Sequence, residues 1–321
     1  MTDDSATRLD VRLPASLAAE RQGAVAILRL KRPHKRNALD DETIIGIETF
    51  FTSLPDGIGA VLLHGEGEHF SAGLDLSELE ERDITQGIAH SRLWHRAFDK
   101  IQFGKVPVVA VLHGAVVGGG LELAASAHVR VAERSAYYAL PEGSRGIYVG
   151  GGGSVRLPRL IGIARMMDMM LTGCTYSAEE GQAMGLSSYL MDSGKGFAKG
   201  LELATSIAGN APLTNFAVMQ ALPRIAEMYP AAGFAVEALM SAIAQADGEA
   251  KARLKDFLEK RAPKVTRGPT LARRRHRRLD FAPRRRGARC GWARSMPCWN
   301  GAPTASSISA PRRCWGLITT S

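Results

Sequence analysis

The chain is poor in cysteine. Of the four in its 321 residues, Cys290, Cys298 and Cys314 fall after Lys264, so Cys174 stands alone in the first 264 residues and no disulfide forms within that part. No run of about 18 apolar residues occurs, so no membrane span is expected. The opening MTDDSATRLDVRLP puts acids first and has no apolar segment, so it does not read as a secretory signal, and a cytoplasmic location is expected. Phosphate-loop patterns are also missing. There is no G-x-x-x-x-G-K-[ST], and no G-x-G-x-x-G followed by an acid about 20 residues on.

Acid is what the end of the chain lacks. From Val265 to Ser321 there are thirteen arginines, no lysine and one acid, Asp280, a net +12. The first 264 residues hold 28 basic and 31 acidic side chains, a net −3, which accounts for the total of +9. Trp292, Trp299 and Trp315, three of the four tryptophans, also lie in the tail. These are two compositions, so they are read apart. The tail has no hydrophobic periodicity. One reading is an arginine-rich arm that binds nucleic-acid phosphates, with tryptophan for stacking. The other, preferred here, is a slipped reading frame, since out-of-frame translation of a GC-rich gene enriches Arg, Ala, Gly, Pro, Ser, Cys and Trp. Either reading predicts disorder over 265–321.

The body is 1–264, and 45% of the whole chain is hydrophobic, as in a globular protein. Short apolar runs at 24–30, 58–63 and 106–112 predict buried strands. Helical patterns run from Asp40-Asp41-Glu42, with acids at the positive end of the dipole, to about Phe51, and again over 84–103. From Ala164 onward the chain is mainly helical, over 164–171, 178–184, 196–209, 213–228, 231–246 and 248–261, punctuated by Gly173, Gly185, Gly209-Asn210-Ala211-Pro212 and Asp247-Gly248. Strands alternating with helices, then helices alone, predict an α/β fold with a helical C-terminal part. Residues 1–20 are expected to be a loose extension.

Glycine is what the middle of the chain has in plenty. In VVGGGLELA (116–124) three glycines follow a predicted strand and open a predicted helix that carries Glu122. Backbone N–H groups there are unpaired, lie at the positive end of a helix and have no Cβ in the way. Taken alone, this stretch favours tight helix–sheet packing. HFSAGLDLSEL (69–79) places a second small-residue turn after a strand, so two N–H groups can aim at one carbonyl oxygen. LPEGSRGIYVGGGGSVRL (140–157) adds Glu142, twenty residues after Glu122, and Gly150 to Gly153. A glutamate in apolar surroundings has a raised pKa and suits proton transfer near neutral pH.

Taken together, SAGLDLSEL, VVGGGLELA, LPEGSRGIYVGGGGSVRLPRLIG and LTGCTYSAEEGQAMGLSSYL resemble the crotonase superfamily and, within it, enoyl-CoA hydratases. The likeness runs from about residue 21 to 262, and RPHKRNALDDE (32–42) fits an early motif on the CoA side. The resemblance implies a spiral of ββα units over 21–205 and a helical trimerisation domain over 206–264, assembled as a trimer or a dimer of trimers. It also implies hydration of a trans-2-enoyl-CoA to a 3-hydroxyacyl-CoA. Leu74 and Gly119 would supply the oxyanion-hole N–H groups. Glu142 would protonate the α-carbon, Glu122 would activate or position the water, and Gly150 would lie near that water. Lys35 and the backbone around Ala72 and Asp75 match the region that grips the nucleotide. Phe257 and Lys260 match C-terminal residues that reach the CoA, often from another subunit. Trp94, with Phe98 one turn on, and Tyr148 are candidates for the acyl pocket or the core. CoA belongs to the substrate, and no metal or redox cofactor is expected.

The sequence departs from the family at Ser77, where many hydratases have a lysine near the phosphates, and at His113, His128 and Val149. The two histidines lack metal-ligand spacing and read as satisfied structural residues. Met166, Met167, Met169 and Met170 form a stripe that reads as adaptable core. Isomerisation, or hydration and cleavage of an aromatic enoyl-CoA, remains open on the same scaffold. From another class, a nucleic-acid-binding protein that uses the basic tail also remains open.

Overall fold

The computed structural model describes residues 6–78 and 81–261. The arginine-rich tail and its expected disorder lie outside the described residues, as do the first five residues of the expected extension. The chain begins with β1 (Thr7–Arg8), β2 (Leu17–Gln22), β3 (Val25–Leu30), α1 (Asp41–Thr52), β4 (Ala60–Gly65) and α2 (Ile84–Gln102). It continues through β5 (Val108–Leu112), β6 (Ala115–Val117), α3 (Gly119–Ser126), β7 (Val129–Glu133), β8 (Tyr137–Ala139), α4 (Gly153–Ile161), α5 (Ile163–Thr172), β9 (Thr175–Ser177), α6 (Ala178–Met184) and β10 (Tyr189–Met191). It closes with α7 (Gly196–Ala208), α8 (Pro212–Gln220), α9 (Leu222–Ile225), α10 (Pro230–Ala246) and α11 (Gly248–Leu258).

The three predicted strands form the centre of a seven-stranded sheet, β1-β2-β3-β4-β5-β7-β10. From β3 to β10 the pairing is parallel; β1, β2 and β3 pair antiparallel. The period-2 alternation of a strand sorts the side chains into two layers. Ile27, Leu62, Val109 and Val131 face α7. That helix comes close because Gly200 is there: a Cβ would stand 2.5 Å from Val111 Cγ2 and 2.8 Å from Leu62 Cδ1. Leu28, Leu63, Ala110 and Leu112 face the larger core with Ile44, Ile47 and Phe50 of α1 and Phe98 of α2. Each such buried side chain contributes roughly 1.5–3 kcal/mol. Acids fix the helix starts. Asp40 caps α1 by accepting the Thr43 N–H (2.8 Å), and Asp83 forms a reciprocal cap with Gln86 on α2 (2.8 and 2.9 Å).

The expected loose extension over 1–20 is corrected by β2. Its six residues pair with β3 in register, Leu17 with Leu30 through Gln22 with Val25. Leu9, Leu17 and Ala19 are buried. Pro14 packs so closely on α1 that a Cβ at Gly46 would meet its ring at 2.6 Å. The body of the fold therefore begins about a dozen residues earlier than expected.

A second sheet, β6-β8-β9, stands beside the first, with β6 and β8 parallel and β8 and β9 antiparallel. After α7 the chain is helical. The helix predicted over 213–228 is two: Pro223, which has no N–H to donate, lies in the first turn of the short α9. Among α8–α11, α8 buries Met219, α10 buries only Gly233, and α9 and α11 bury no residue. No helix among the described residues is long and apolar enough to cross a membrane.

Candidate active site

Two backbone turns meet at the edge of the second sheet. The first is Ser71-Ala72-Gly73-Leu74. It is tied to β6 by a parallel bridge between Ser71 and Val116 and to Leu39 by a bridge at Leu74. Ser71 Oγ steadies it, donating to Asn37 O (2.8 Å) and accepting from Gly73 N–H (3.1 Å). The second turn is Gly118-Gly119-Gly120, where β6 gives way to α3. At Gly73, φ is +87°, and a Cβ would lie 2.6 Å from Val117 O and 2.9 Å from Gly119 N. A Cβ at Gly119 would lie 2.6 Å from the Trp94 ring and 3.4 Å from Leu74 N. These contacts place the Leu74 and Gly119 amides side by side. Neither N–H donates to a described residue, and Gly119, first in α3, has no intrahelical acceptor. After this first turn the chain makes a single 3₁₀ turn, Leu76–Glu78.

Two carboxyl groups flank these amides. Glu122, one turn into α3, is 3% exposed, and its Oε1 accepts N–H from Gly151 (2.8 Å) and Gly153 (2.7 Å). Glu142 lies just beyond β8 and is 6% exposed; its Oε2 is buried with no hydrogen-bond partner among the described residues. The β6–β8 register brings the second carboxyl in. Val117 pairs with Ala139, and Gly118 N–H donates to Ala139 O (2.9 Å). As a result a Cβ at Gly118 would stand 2.8 Å from Glu142 Oε1.

Burial raises the Glu122 pKa from its ordinary 4.5 to about 7. The N–H of Gly153 and then of Gly151 oppose that rise, Glu142 adds to it, and Arg156 lowers it. Burial also raises Glu142, against the pull of Arg145. Two acids beside two unpaired amide donors can exchange protons near neutrality and stabilise negative charge on an oxygen between those amides.

The structure gathers Glu122, Glu142, Leu74, Gly119 and Gly150 into this one site. Gly150 precedes the amide that grips Glu122, and its carbonyl accepts from Ser91 Oγ (2.6 Å). Trp94 is buried behind the glycines, edge-on to Phe98 at 5.6 Å, so it forms the floor of the site. Tyr148 is 69% exposed in the loop between Glu142 and the glycine run.

Lys35 is half-exposed. It donates to Asp75 Oδ2 (2.9 Å) and Ser77 Oγ (3.1 Å). Asp75 also pairs with Arg32 (2.7 Å) and accepts from Ser77 Oγ (2.7 Å), which holds its carboxyl well below the usual range. The Asp75 carboxylate, buried among these partners, thus braces the turn from inside. Ala72 N–H is taken by Arg36 O (2.9 Å), which joins the basic turn Lys31–Arg36, exposed except at Arg32, to the first glycine turn. Phe257 on α11 and Lys260 just after it are exposed, and α11 packs on α10, so the single chain does not bring them to the carboxylates.

Sequence reasoning missed Ser91 and the role of Arg156, because neither has a local motif. His128 is a satisfied residue. Its Nδ1 accepts from Val108 N–H (3.0 Å), its Nε2 meets Gln102 O (3.0 Å), and burial lowers its pKa to about 4. Among the described residues, no group of three His, Cys, Asp or Glu is placed to hold a metal. A cavity of about 810 Å³ lies between α2, α4 and α8–α9; Arg156 and Gly152 line it, and neither carboxylate does.

The family model for enoyl-CoA hydratase/isomerase matches residues 20–268. A 2,3-dehydroadipyl-CoA hydratase of Escherichia coli K12 is 33% identical over 255 residues, covering 78% of this chain and 98% of that one. Among solved structures, one assigned to an enoyl-CoA hydratase of Rhodopseudomonas palustris CGA009 is 59% identical, with a TM-score of 0.76 over 80% of this chain and 100% of that one. An enoyl-CoA hydratase of Bacillus anthracis is 27% identical, with a TM-score of 0.73 over 78% and 98%.

Proposed function

Since the chain belongs to the enoyl-CoA hydratase/isomerase family, whose members act on acyl-CoA thioesters, we propose that it hydrates a trans-2-enoyl-CoA to the 3-hydroxyacyl-CoA. One observation carries this reading: two buried carboxyl groups stand beside two neighbouring backbone N–H groups that no described residue uses.

In this reading the thioester oxygen accepts from Leu74 and Gly119 N–H. The oxygen of water bonds to the β-carbon while Glu122 takes the proton that water gives up. The electrons of the double bond move onto the thioester oxygen as an enolate. The enolate then collapses, and the α-carbon takes its proton from Glu142. Proton transfer from Glu122 back to Glu142, directly or through solvent, restores the pair, and one water has been consumed. The two N–H groups on one oxygen of Glu122 ease its ionisation against a burial that brings it to about 7, so it can take a proton near neutrality, while burial raises Glu142 and lets it carry one. The pair titrates together, so its protonation steps belong to both residues.

The basic turn Lys31–Arg36, with Lys35 in it, and the backbone of Ala72 suit the CoA nucleotide. The apolar side chains exposed on α8–α11 support a trimer or a dimer of trimers, in which Phe257 and Lys260 of a partner subunit would reach the CoA.

The test is loss of the conjugated enoyl-thioester absorbance when the protein is added to crotonyl-CoA, with Glu122→Gln and Glu142→Gln alongside. Loss in the wild type, falling by roughly 10²–10⁴ in each variant, is expected. Longer-chain and cinnamoyl-type thioesters follow if crotonyl-CoA is inert. CoA binding without turnover of any of them overturns hydration, and migration of the double bond without water uptake assigns the same equipment to isomerisation.

A further inference from the structure

Glu122 is held by a loop, and that loop is held in turn. The two N–H groups on its Oε1 belong to Gly151 and Gly153, in the glycine run that opens α4. Arg156, one turn into α4 and buried, reaches back to that run. Its Nη1 donates to Gly151 O (3.1 Å), its Nη2 to Asp99 Oδ1 (2.6 Å) and its Nε to Gln102 Oε1 (2.7 Å). Gly151 is therefore clamped on both sides of its backbone, by Arg156 at the carbonyl and by Glu122 at the N–H of the same residue. Ser91 Oγ holds the carbonyl of Gly150 next to it. Burying a guanidinium is costly, and here its hydrogen bonds are spent on one peptide of the site and on the α2 residues that fix its direction.

We propose that Arg156, braced by Asp99, is a positioning residue for the hydration: it fixes the Gly150–Gly153 run in the place where Glu122 must meet water, and its positive charge bears on Glu122. This rests on the reading of Glu122 as the group that activates water. The charged groups facing Glu122 are few. Glu142 comes from the turn after β8 and Arg156 from α4. At Gly151, α2 presents the rings of Trp94 and Phe98 and bears on Glu122 through Asp99 on Arg156. The β6 strand is Ala115-Val116-Val117 and carries no titratable group. Glu142 makes ionisation of Glu122 harder and Arg156 makes it easier, so loss of the cation should move Glu122 ionisation to higher pH.

The experiment measures kcat, KM and the pH profile of kcat on the full chain for the wild type, Arg156→Gln, Arg156→Lys, Asp99→Asn and Glu122→Gln, with circular dichroism and thermal unfolding as controls. Arg156→Gln should lose roughly tenfold to a hundredfold in kcat at little cost in KM, and its acidic limb should move to higher pH. Arg156→Lys keeps the charge and loses the fork, so the limb should stay in place while kcat falls. Asp99→Asn should lower kcat less and should not move the limb upward. A folded Arg156→Gln whose acidic limb stays where the wild type has it overturns the proposal, whatever its rate. If that variant does not fold, wild-type kcat in both Arg156→Lys and Asp99→Asn overturns it. Full hydration by Glu122→Gln would sink the underlying reading; an inactive Glu122→Gln beside an unmoved Arg156→Gln profile would sink only this inference.

Discussion

Helices α3 and α10 are both rich in apolar residues, yet they meet opposite fates. Every residue of α3 is buried, a carboxylate included. Along the seventeen residues of α10 only Gly233 is buried, while Phe234 is 70% exposed and Leu239 62%. Hydrophobic content alone does not account for this. Helix α3 starts at the end of β6, between the loop braced by Arg156 and the Trp94 ring, so its surroundings are fixed on every side before its own residues are considered. Helix α10 touches α8, α9 and α11 and leaves apolar side chains such as Phe234 and Leu239 open. The two carboxyl groups sit where geometry is over-determined, and the apolar side chains stay open where few neighbours bear on them.

The largest effect should come from one methyl group in the over-determined region. Gly73→Ala puts a Cβ 2.6 Å from Val117 O and 2.9 Å from Gly119 N, at a φ of +87° that side chains rarely adopt. It should part the two amides, lower kcat/KM by roughly 10²–10³ and destabilise the fold by about 1–3 kcal/mol. Gly248→Ala, at the start of α11, meets nothing within 4 Å and should change neither quantity. Kinetics and thermal unfolding of the two variants decide the matter, and a fully active Gly73→Ala would break the comparison.

Next in size is a pH dependence of stability. The folded Glu122 holds its proton up to about pH 7, whereas an ordinary glutamate releases it near 4.5. The unfolded chain therefore gives up the proton first. The contribution of this group to stability is complete below pH 4.5 and is lost as pH rises to about 7, a change on the order of a few kcal/mol. Glu142, also raised, acts with the same sign. Asp75, lowered from 3.8, acts at lower pH, whereas His64 and His128, lowered by burial from 6.5 to about 4, act within this window with the opposite sign. The histidines are common to both proteins, so urea unfolding across the window should show the stability of the wild type falling relative to Glu122→Gln as pH rises; equal slopes would contradict the burial of an ionisable Glu122.

The same contrast explains what could be read in the sequence. β3, β4, β5, α1 and α2 were legible because each signal is local: an apolar run, or an acid cap before a helical period. The strand β2 was not, because in LAAERQ only Leu17 and Ala19 mark the buried face and three polar residues follow. The two glutamates were visible as a pattern through the family resemblance, but their meeting depends on the pairing of β6 with β8, which no spacing announces. Arg156 and Ser91 act on Gly151 and Gly150, and the partners that fix Arg156 are 54 and 57 residues away on α2. The C-terminal helices were recognisable as helices, but that their apolar side chains stay exposed in the single chain is not announced by their period.

The smallest expected effect on folding belongs to the open surface, and it tests the other side of the comparison. Phe234→Glu combined with Leu239→Glu changes two exposed positions, so each should alter the stability of the single chain by no more than about 0.5 kcal/mol. Association should respond differently. Subunits that bind only the folded state raise the unfolding temperature with protein concentration. The wild-type midpoint should therefore climb as the protein is concentrated, and the double variant's should stay flat and sediment as a smaller species. If the variant instead unfolds at every concentration, α10 is part of the core of a single chain, and the division between a filled and an unfilled region fails.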